Sequence, residues 1–159
     1  MPDPQRQFLR HTLATVAYRG AKAVRGAPAS FATFSPDGSS RTPARILAHI
    51  GDLFVWAIHL AQGDHAWTDS LPLPWEEEVV RFHSTLSRFD ALLAGDTELR
   101  CSTEQLFQGP VADALTHVGQ LAMLRRLAGA PMKGENYFKA GITIGLVGPQ
   151  QAPPKREFD

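Results

Sequence analysis

The chain has 159 residues, of which 43% are hydrophobic and 20% charged, and this suits one compact domain with a substantial core. Its 16 basic and 16 acidic residues balance, which argues against a dedicated nucleic-acid-binding protein because such proteins usually carry excess positive charge. The single cysteine, Cys101, excludes an intrachain disulfide framework and a cysteine-rich zinc knuckle.

The first two predicted helices cover residues 5–25 and 42–62. Apolar residues recur every three or four positions in the first, which is the spacing of one helix face. The second helix has clear end signals. Thr42 suits the N-cap, Pro43 suits the first helical position and Gly63 suits the position just past the end. The segment between the two helices is rich in Gly, Pro, Ala and Ser, which predicts a loop.

The other two predicted helices cover about 75–94 and about 110–128. The third begins with three glutamates, which suit the positive end of the helix dipole, and continues with an apolar seam. The fourth has Pro110 near its start and Gly129 just past its end. The sequence DTELRCSTEQLFQGP is expected to connect them as a loop.

Four amphipathic helices without convincing strands predict an all-α fold, and specifically an antiparallel four-helix bundle. We expect one domain over residues 1–159, with a helical core at about 5–130 and an irregular C-terminal tail at 131–159. Within the tail, ENYFKA predicts a short helix or turn, and ITIGLV is a candidate short strand without an obvious partner. The chain opens without a signal-peptide pattern, and its apolar stretches are interrupted before a membrane-spanning length. We therefore expect a cytoplasmic protein with no membrane partner.

Two predicted helices each carry a histidine in an apolar stripe. Asp113 and His117 lie on adjacent turns of one face of the fourth helix, which continues with leucines. His49 shares a stripe of the second helix with Leu53 and other apolar residues. A carboxylate and an imidazole on a core-facing stripe are costly to bury unless something satisfies them. If the two helices face each other, His49, Asp113 and His117 meet at one point.

Two neutral imidazoles and one carboxylate form a three-ligand site for a divalent metal such as zinc, nickel, iron(II) or manganese, with positions left open for water or substrate. The alternative is a hydrogen-bonded polar pair in the core, and spacing leaves both readings open. Asp52 is a further candidate, either as a partner to His49 or as a substitute ligand. The remaining histidines are expected to be solvated or stacked, namely His11, His59, His65 and His83. Cys101 has no adjacent base and is not expected to be catalytic.

The sequence LTHVGQLAMLRRLAG resembles the last helix of the DinB-like (DinB/YfiT-like) metalloenzyme superfamily, and ILAHIGDLFVWA resembles its second helix. The resemblance covers about residues 5–130, over which helix order and lengths also agree. GENYFKA is similar to the C-terminal segment of one branch of the superfamily. The resemblance implies a four-helix bundle in an up-down-down-up order, often as a homodimer.

In this superfamily three histidines hold a divalent metal, often nickel or zinc. The resemblance implies that His49 and His117 are two of them, whereas Asp113 stands in place of the middle histidine. The arginine that usually follows the last histidine is replaced by Val118. The site therefore either survives as two histidines and one carboxylate, or is lost because the shorter carboxylate fails to reach.

The resemblance also implies a function. Some members of the superfamily are similar to thiol-dependent transferases or isomerases, in which the metal lowers the pKa of a low-molecular-weight thiol that attacks a small electrophile. A metal-assisted hydrolase is a related reading. Two alternatives remain: a non-catalytic bundle that binds a metal or small ligand, and a dimeric bundle that has lost its site. Phe54, Trp56 and Phe107 are candidates to line a substrate pocket, with a position in the core as the alternative for each, and no nucleic-acid role is expected.

Overall fold

The computed structural model describes residues 1–158, and its fold is mostly helical, which confirms the all-α prediction. The long helices are α1 (Pro4–Val24), α2 (Pro43–Ala61), α3 (Trp75–Ala94) and α5 (Ala112–Leu127). A short helix, α4 (Thr103–Leu106), is joined to α5 by a π-helical segment, Phe107–Val111. Two 3₁₀ turns occupy Ala29–Thr33 and Tyr137–Lys139. Strands β1 (Gly134–Glu135) and β2 (Glu157–Phe158) pair antiparallel, with Gly134 opposite Phe158.

The ends of α2 follow the predicted signals. The Thr42 side chain accepts a hydrogen bond from the Arg45 backbone N–H at 3.4 Å, and Pro43 occupies the first helical position. Gly63 adopts a φ of +85° just past the helix, a conformation that glycine reaches without steric cost. These ends fix where His49 falls along α2.

The predicted bounds of the last helix, about 110–128, match α5, but the loop expected before it was wrong. Residues 103–111 are already helical, and Ser102 and Gln105 form a reciprocal capping box at their beginning. Pro110 lies inside the helical run, within the π-helical segment. A proline cannot donate the usual backbone hydrogen bond, and a wider local turn accommodates it without ending the helix. The π-helical segment therefore sets the rotation with which Asp113 and His117 leave it.

The apolar core lies among the four long helices, because α3 and α5 each pack against both α1 and α2. Its largest fully buried side chains include Phe31, Phe54, Phe82, Phe89, Leu13, Leu47 and Leu86. By length and mean hydropathy (1.3), α2 also qualifies as a membrane-spanning segment, which the sequence analysis did not anticipate. However, 61% of that stretch is buried in the fold, as befits a core helix.

The tail folds back onto the helices. Glu135 is buried and accepts hydrogen bonds from the Tyr18 hydroxyl and from the Lys22 ammonium of α1. His83 of α3 is also buried, and its Nδ1–H donates to the Val147 carbonyl at 3.1 Å. The expectation that His83 is solvated or stacked was therefore incomplete, since it contacts Phe82 but also anchors the tail. ITIGLV is not a strand, whereas Tyr137–Lys139 confirms the short turn.

Candidate metal site

Helices α2 and α5 bring His49, Asp113 and His117 together, as the sequence analysis expected. One donor atom from each residue lies within 4.8 Å of the other two. The Asp113 carboxylate lies between the imidazoles, with Oδ2 3.4 Å from His49 Nε2 and Oδ1 3.4 Å from His117 Nε2. The two rings meet edge to face with centroids 4.7 Å apart.

The group lies at the rim of the core rather than inside it. The side chains of His49 and His117 are 19% and 12% exposed, whereas that of Asp113 is 46% exposed. The pattern of α5 predicted a buried carboxylate on the apolar face, but the Asp113 carboxylate is largely accessible to solvent. An exposed carboxylate avoids most of the desolvation cost, and it leaves one side of the group open to solvent or ligand.

The contacts of Asp113 with the two histidines are long for hydrogen bonds or ion pairs, and all three side chains are close enough together to act as ligands of one metal ion. Hydrogen bonds between nitrogen and oxygen are usually 2.7–3.2 Å long, and both separations to Asp113 exceed that range. A single metal ion takes one donor atom from each residue, and the three donor atoms lie within 4.8 Å of one another. The three side chains are therefore a candidate ligand set for a divalent metal.

Gln120 contacts the His117 ring at Nδ1. This contact was not predicted from the sequence. Gln120 Oε1 lies 2.7 Å from His117 Nδ1, and an amide oxygen accepts, so Nδ1 carries the hydrogen. In the neutral ring Nε2 then holds a lone pair that faces the Asp113 carboxylate. Two acceptors that face each other require a cation between them, either a proton or a metal ion. The i, i+3 spacing of His117 and Gln120 on one helix is the signal that points to this contact.

The loop between α2 and α3 covers the other side of His49. Trp67 packs edge to face on His49, with ring centroids 5.6 Å apart, and also on Trp56 at 5.8 Å. Ser70 anchors this loop, because its backbone N–H and hydroxyl donate to Asp52 at 2.8 and 2.7 Å. The expectation that Asp52 partners His49 was wrong, since its carboxylate is occupied by Ser70 and by Arg81 of α3.

Two clefts open beside the histidines. The His49 cleft has a volume of about 220 Å³ and is lined by Arg41, Arg45, His49, Asp69, Ser70 and Leu71. The His117 cleft has a volume of about 450 Å³ and is lined by Ser40, Arg41, Ile46, His117, Gln120, Met123 and Leu124. Arg41 borders both clefts, so the histidine pair is accessible from two sides.

The aromatic residues proposed for the pocket lie elsewhere. Phe54 is fully buried in the core, and Phe107 lines a separate groove beside Phe8 of α1. Trp56 packs on Trp67, which in turn packs on His49. Burial raises the pKa of the Cys101 thiol, which agrees with the expectation that it is not a reactive nucleophile.

Comparison of the chain with models of known protein families, with curated proteins and with solved structures finds no match.

Proposed function

We propose that this chain is a divalent-metal-dependent enzyme with a four-helix bundle of the DinB-like type, acting as a thiol-dependent transferase on a small electrophile. The observation that carries the proposal is the convergence of His49, Asp113 and His117, whose donor atoms lie within 4.8 Å of one another, with Gln120 Oε1 2.7 Å from His117 Nδ1. A divalent cation satisfies all three donors at once. Nickel or zinc is the expected metal, and iron(II) or manganese suits the same donors.

His49, Asp113 and His117 hold the metal in this proposal, and Gln120 orients the His117 ring. When bound, the metal lowers the pKa of a thiol that coordinates it, so that the thiol reacts as a thiolate at neutral pH. The exposed side of Asp113 admits the thiol. The two clefts admit the rest of the thiol molecule and the electrophile, and Trp67 packs against one side of His49.

Metal content, measured by elemental mass spectrometry on protein purified without an affinity tag or chelator, tests the metal part of the proposal. We expect one equivalent of metal per chain, lost in His117→Ala while the circular dichroism spectrum is unchanged. The matched control is His11→Ala, which removes an exposed histidine of α1 outside the group and should keep the metal. Failure of the parent to take up nickel, zinc, iron or manganese after loading would contradict the proposal.

Catalysis is tested separately from binding. Metal-loaded protein is incubated with a low-molecular-weight thiol and a panel of epoxides, halides and activated alkenes. Turnover that requires both His117 and the thiol supports the proposed transferase activity. Metal binding without turnover favours the non-catalytic binding bundle instead.

A further inference from the structure

The clefts beside the histidines carry an excess of positive charge. Arg41 lies just before α2, and Arg45 lies in its first turn, four residues before His49. Both side chains are exposed, and both border the His49 cleft. Within residues 1–158 neither guanidinium forms an ion pair with a carboxylate. By contrast, Arg10 and Arg81 are paired with carboxylates.

One acidic residue, Asp69, also lines the His49 cleft. It is exposed and forms no ion pair within the part of the chain that the structure describes. Two arginines against one aspartate leave the cleft with net positive charge. The N-terminal end of α2 adds to this, because a helix dipole is positive there. The cleft therefore favours an anion.

We propose that the substrate taken at the candidate metal site carries an oxyanion group, a carboxylate or a phosphate, which Arg41 and Arg45 hold. The metal-binding end of that substrate rests on the proposed function, whereas the arginine pair exists without it. A guanidinium presents two parallel N–H donors that match an oxyanion. Arg45 is one helical turn from His49, which is a rise of about 6 Å. That reach suits a small molecule whose thiol and anionic group are a few bonds apart.

Arg41 is positioned to hold an anionic ligand in either of the two clefts. It borders both the His49 cleft and the His117 cleft, so one guanidinium faces the approaches to both imidazoles. An oxyanion bound to Arg41 keeps the rest of a small ligand beside the histidines from either side. Neutral and cationic analogues lack this contact and face uncompensated positive charge.

The first test uses metal-free protein. Nitrogen-15 NMR follows the side-chain Nε–H signals of Arg41 and Arg45 during titration with propionate and, separately, with inorganic phosphate. We expect saturable shifts, with binding about threefold weaker in Arg41→Gln and in Arg45→Gln, the size of a partly exposed charge contact. Asp69→Asn should bind more tightly because it removes a like charge. The matched control is Arg88→Gln, an exposed arginine of α3 outside both clefts. The stronger of the two titrations identifies the oxyanion.

Shifts that do not saturate, or an equal loss in Arg88→Gln, would overturn the anion site. The second test uses cobalt(II)-loaded protein and the near-ultraviolet band of a cobalt-bound thiol. We expect 3-mercaptopropionate to bind about threefold or more tightly than 2-mercaptoethanol, and this preference to disappear in Arg41→Gln. Equal binding of the two thiols contradicts the inference. If cobalt does not bind but propionate or phosphate does, the proposed metal function fails and the anion site stands.

Discussion

Two carboxylates near the α2–α3 loop illustrate how the same group is used in two different ways. Asp52 is 2% exposed and accepts hydrogen bonds from the backbone and hydroxyl of Ser70 and from Arg81. Asp113 is 46% exposed, and its nearest nitrogens, on His49 and His117, are both 3.4 Å away. The Asp52 carboxylate has close hydrogen-bond partners within the fold. The Asp113 carboxylate lies between two imidazoles and has only long contacts with them.

The difference separates a structural group from a candidate functional one. A buried charge must have its partners within the protein, because an unpaired charge in the core is very costly. Asp52 meets that requirement, and it thereby fixes the loop that carries Trp67 to His49. Asp113 is half exposed and has only long contacts with the two histidines, and this leaves its carboxylate available to a ligand. The two carboxylates are therefore distinguished by whether they have close hydrogen-bond partners within the protein, and not by residue type.

The largest expected effect is on folding, and it comes from Asp52. Asp52→Ala leaves Arg81 and Ser70 without their acceptor, and we expect it to lower the free energy of unfolding by about 3 kcal/mol or more. Asp113→Ala should change the same quantity by less than about 0.5 kcal/mol, because the side chain is half exposed. Urea denaturation followed by circular dichroism measures both.

Metal uptake should show the reverse order of effects, with a large loss in Asp113→Ala and a small one in Asp52→Ala. Asp113→Ala is expected to lose metal while keeping its stability, whereas folded Asp52→Ala keeps the three donors of the site. A large loss of stability in Asp113→Ala would show that its carboxylate is structural, and the comparison would then fail.

A smaller effect is expected from Gln120. Gln120→Ala removes the acceptor for His117 Nδ1–H and frees the ring to rotate, so metal affinity should fall by about 10- to 100-fold. Gln120→Glu keeps an acceptor at the same place and should retain most of the affinity. Gln108→Ala, which removes an exposed glutamine remote from His117, is the control. Competition with a coloured chelator measures these affinities. Equal affinities of Gln120→Ala and the parent would show that Gln120 does not orient the ring.

The sequence was sufficient for the features that depend on local chemistry. Thr42, Pro43 and Gly63 define α2 through capping, ring geometry and a positive φ, all of which act within a few residues. Asp113 and His117 share a face because they are four residues apart in a helix. Placing His49 opposite them required the additional expectation that two apolar stripes face each other.

The features that were missed depend on long-range contacts or on an exception to a local rule. A proline usually marks the start of a helix, but Pro110 lies inside one because the wider turn of the π-helical segment accommodates it. Asp52 was assigned to His49 because the two are close in sequence, but its partners Ser70 and Arg81 come from the next loop and helix. His83 gave no sign that a tail residue, Val147, would cover it.

His83 and His117 extend the comparison from carboxylates to histidines, with a modest expected effect on stability. Burial lowers the pKa of His83, a nearby Arg25 acts in the same direction, and the hydrogen bond to Val147 opposes them. The unfolded chain therefore binds a proton at a higher pH than the folded chain does. Stability from this group is fully present above about pH 6.5 and declines as pH falls from there towards the lowered pKa.

The decline has a limiting slope of about 1.4 kcal/mol per pH unit. His83→Gln removes the titration while its amide can still donate to Val147, so its stability should depend less on pH than that of the parent between pH 7.5 and 5. The control is His65→Gln, an exposed histidine of the α2–α3 loop, which should follow the parent. Urea denaturation at each pH gives the difference. A parent and a His83→Gln variant that lose stability in parallel would mean that the pKa of His83 is the same in the folded and unfolded chain, which would contradict the expected effect of burial.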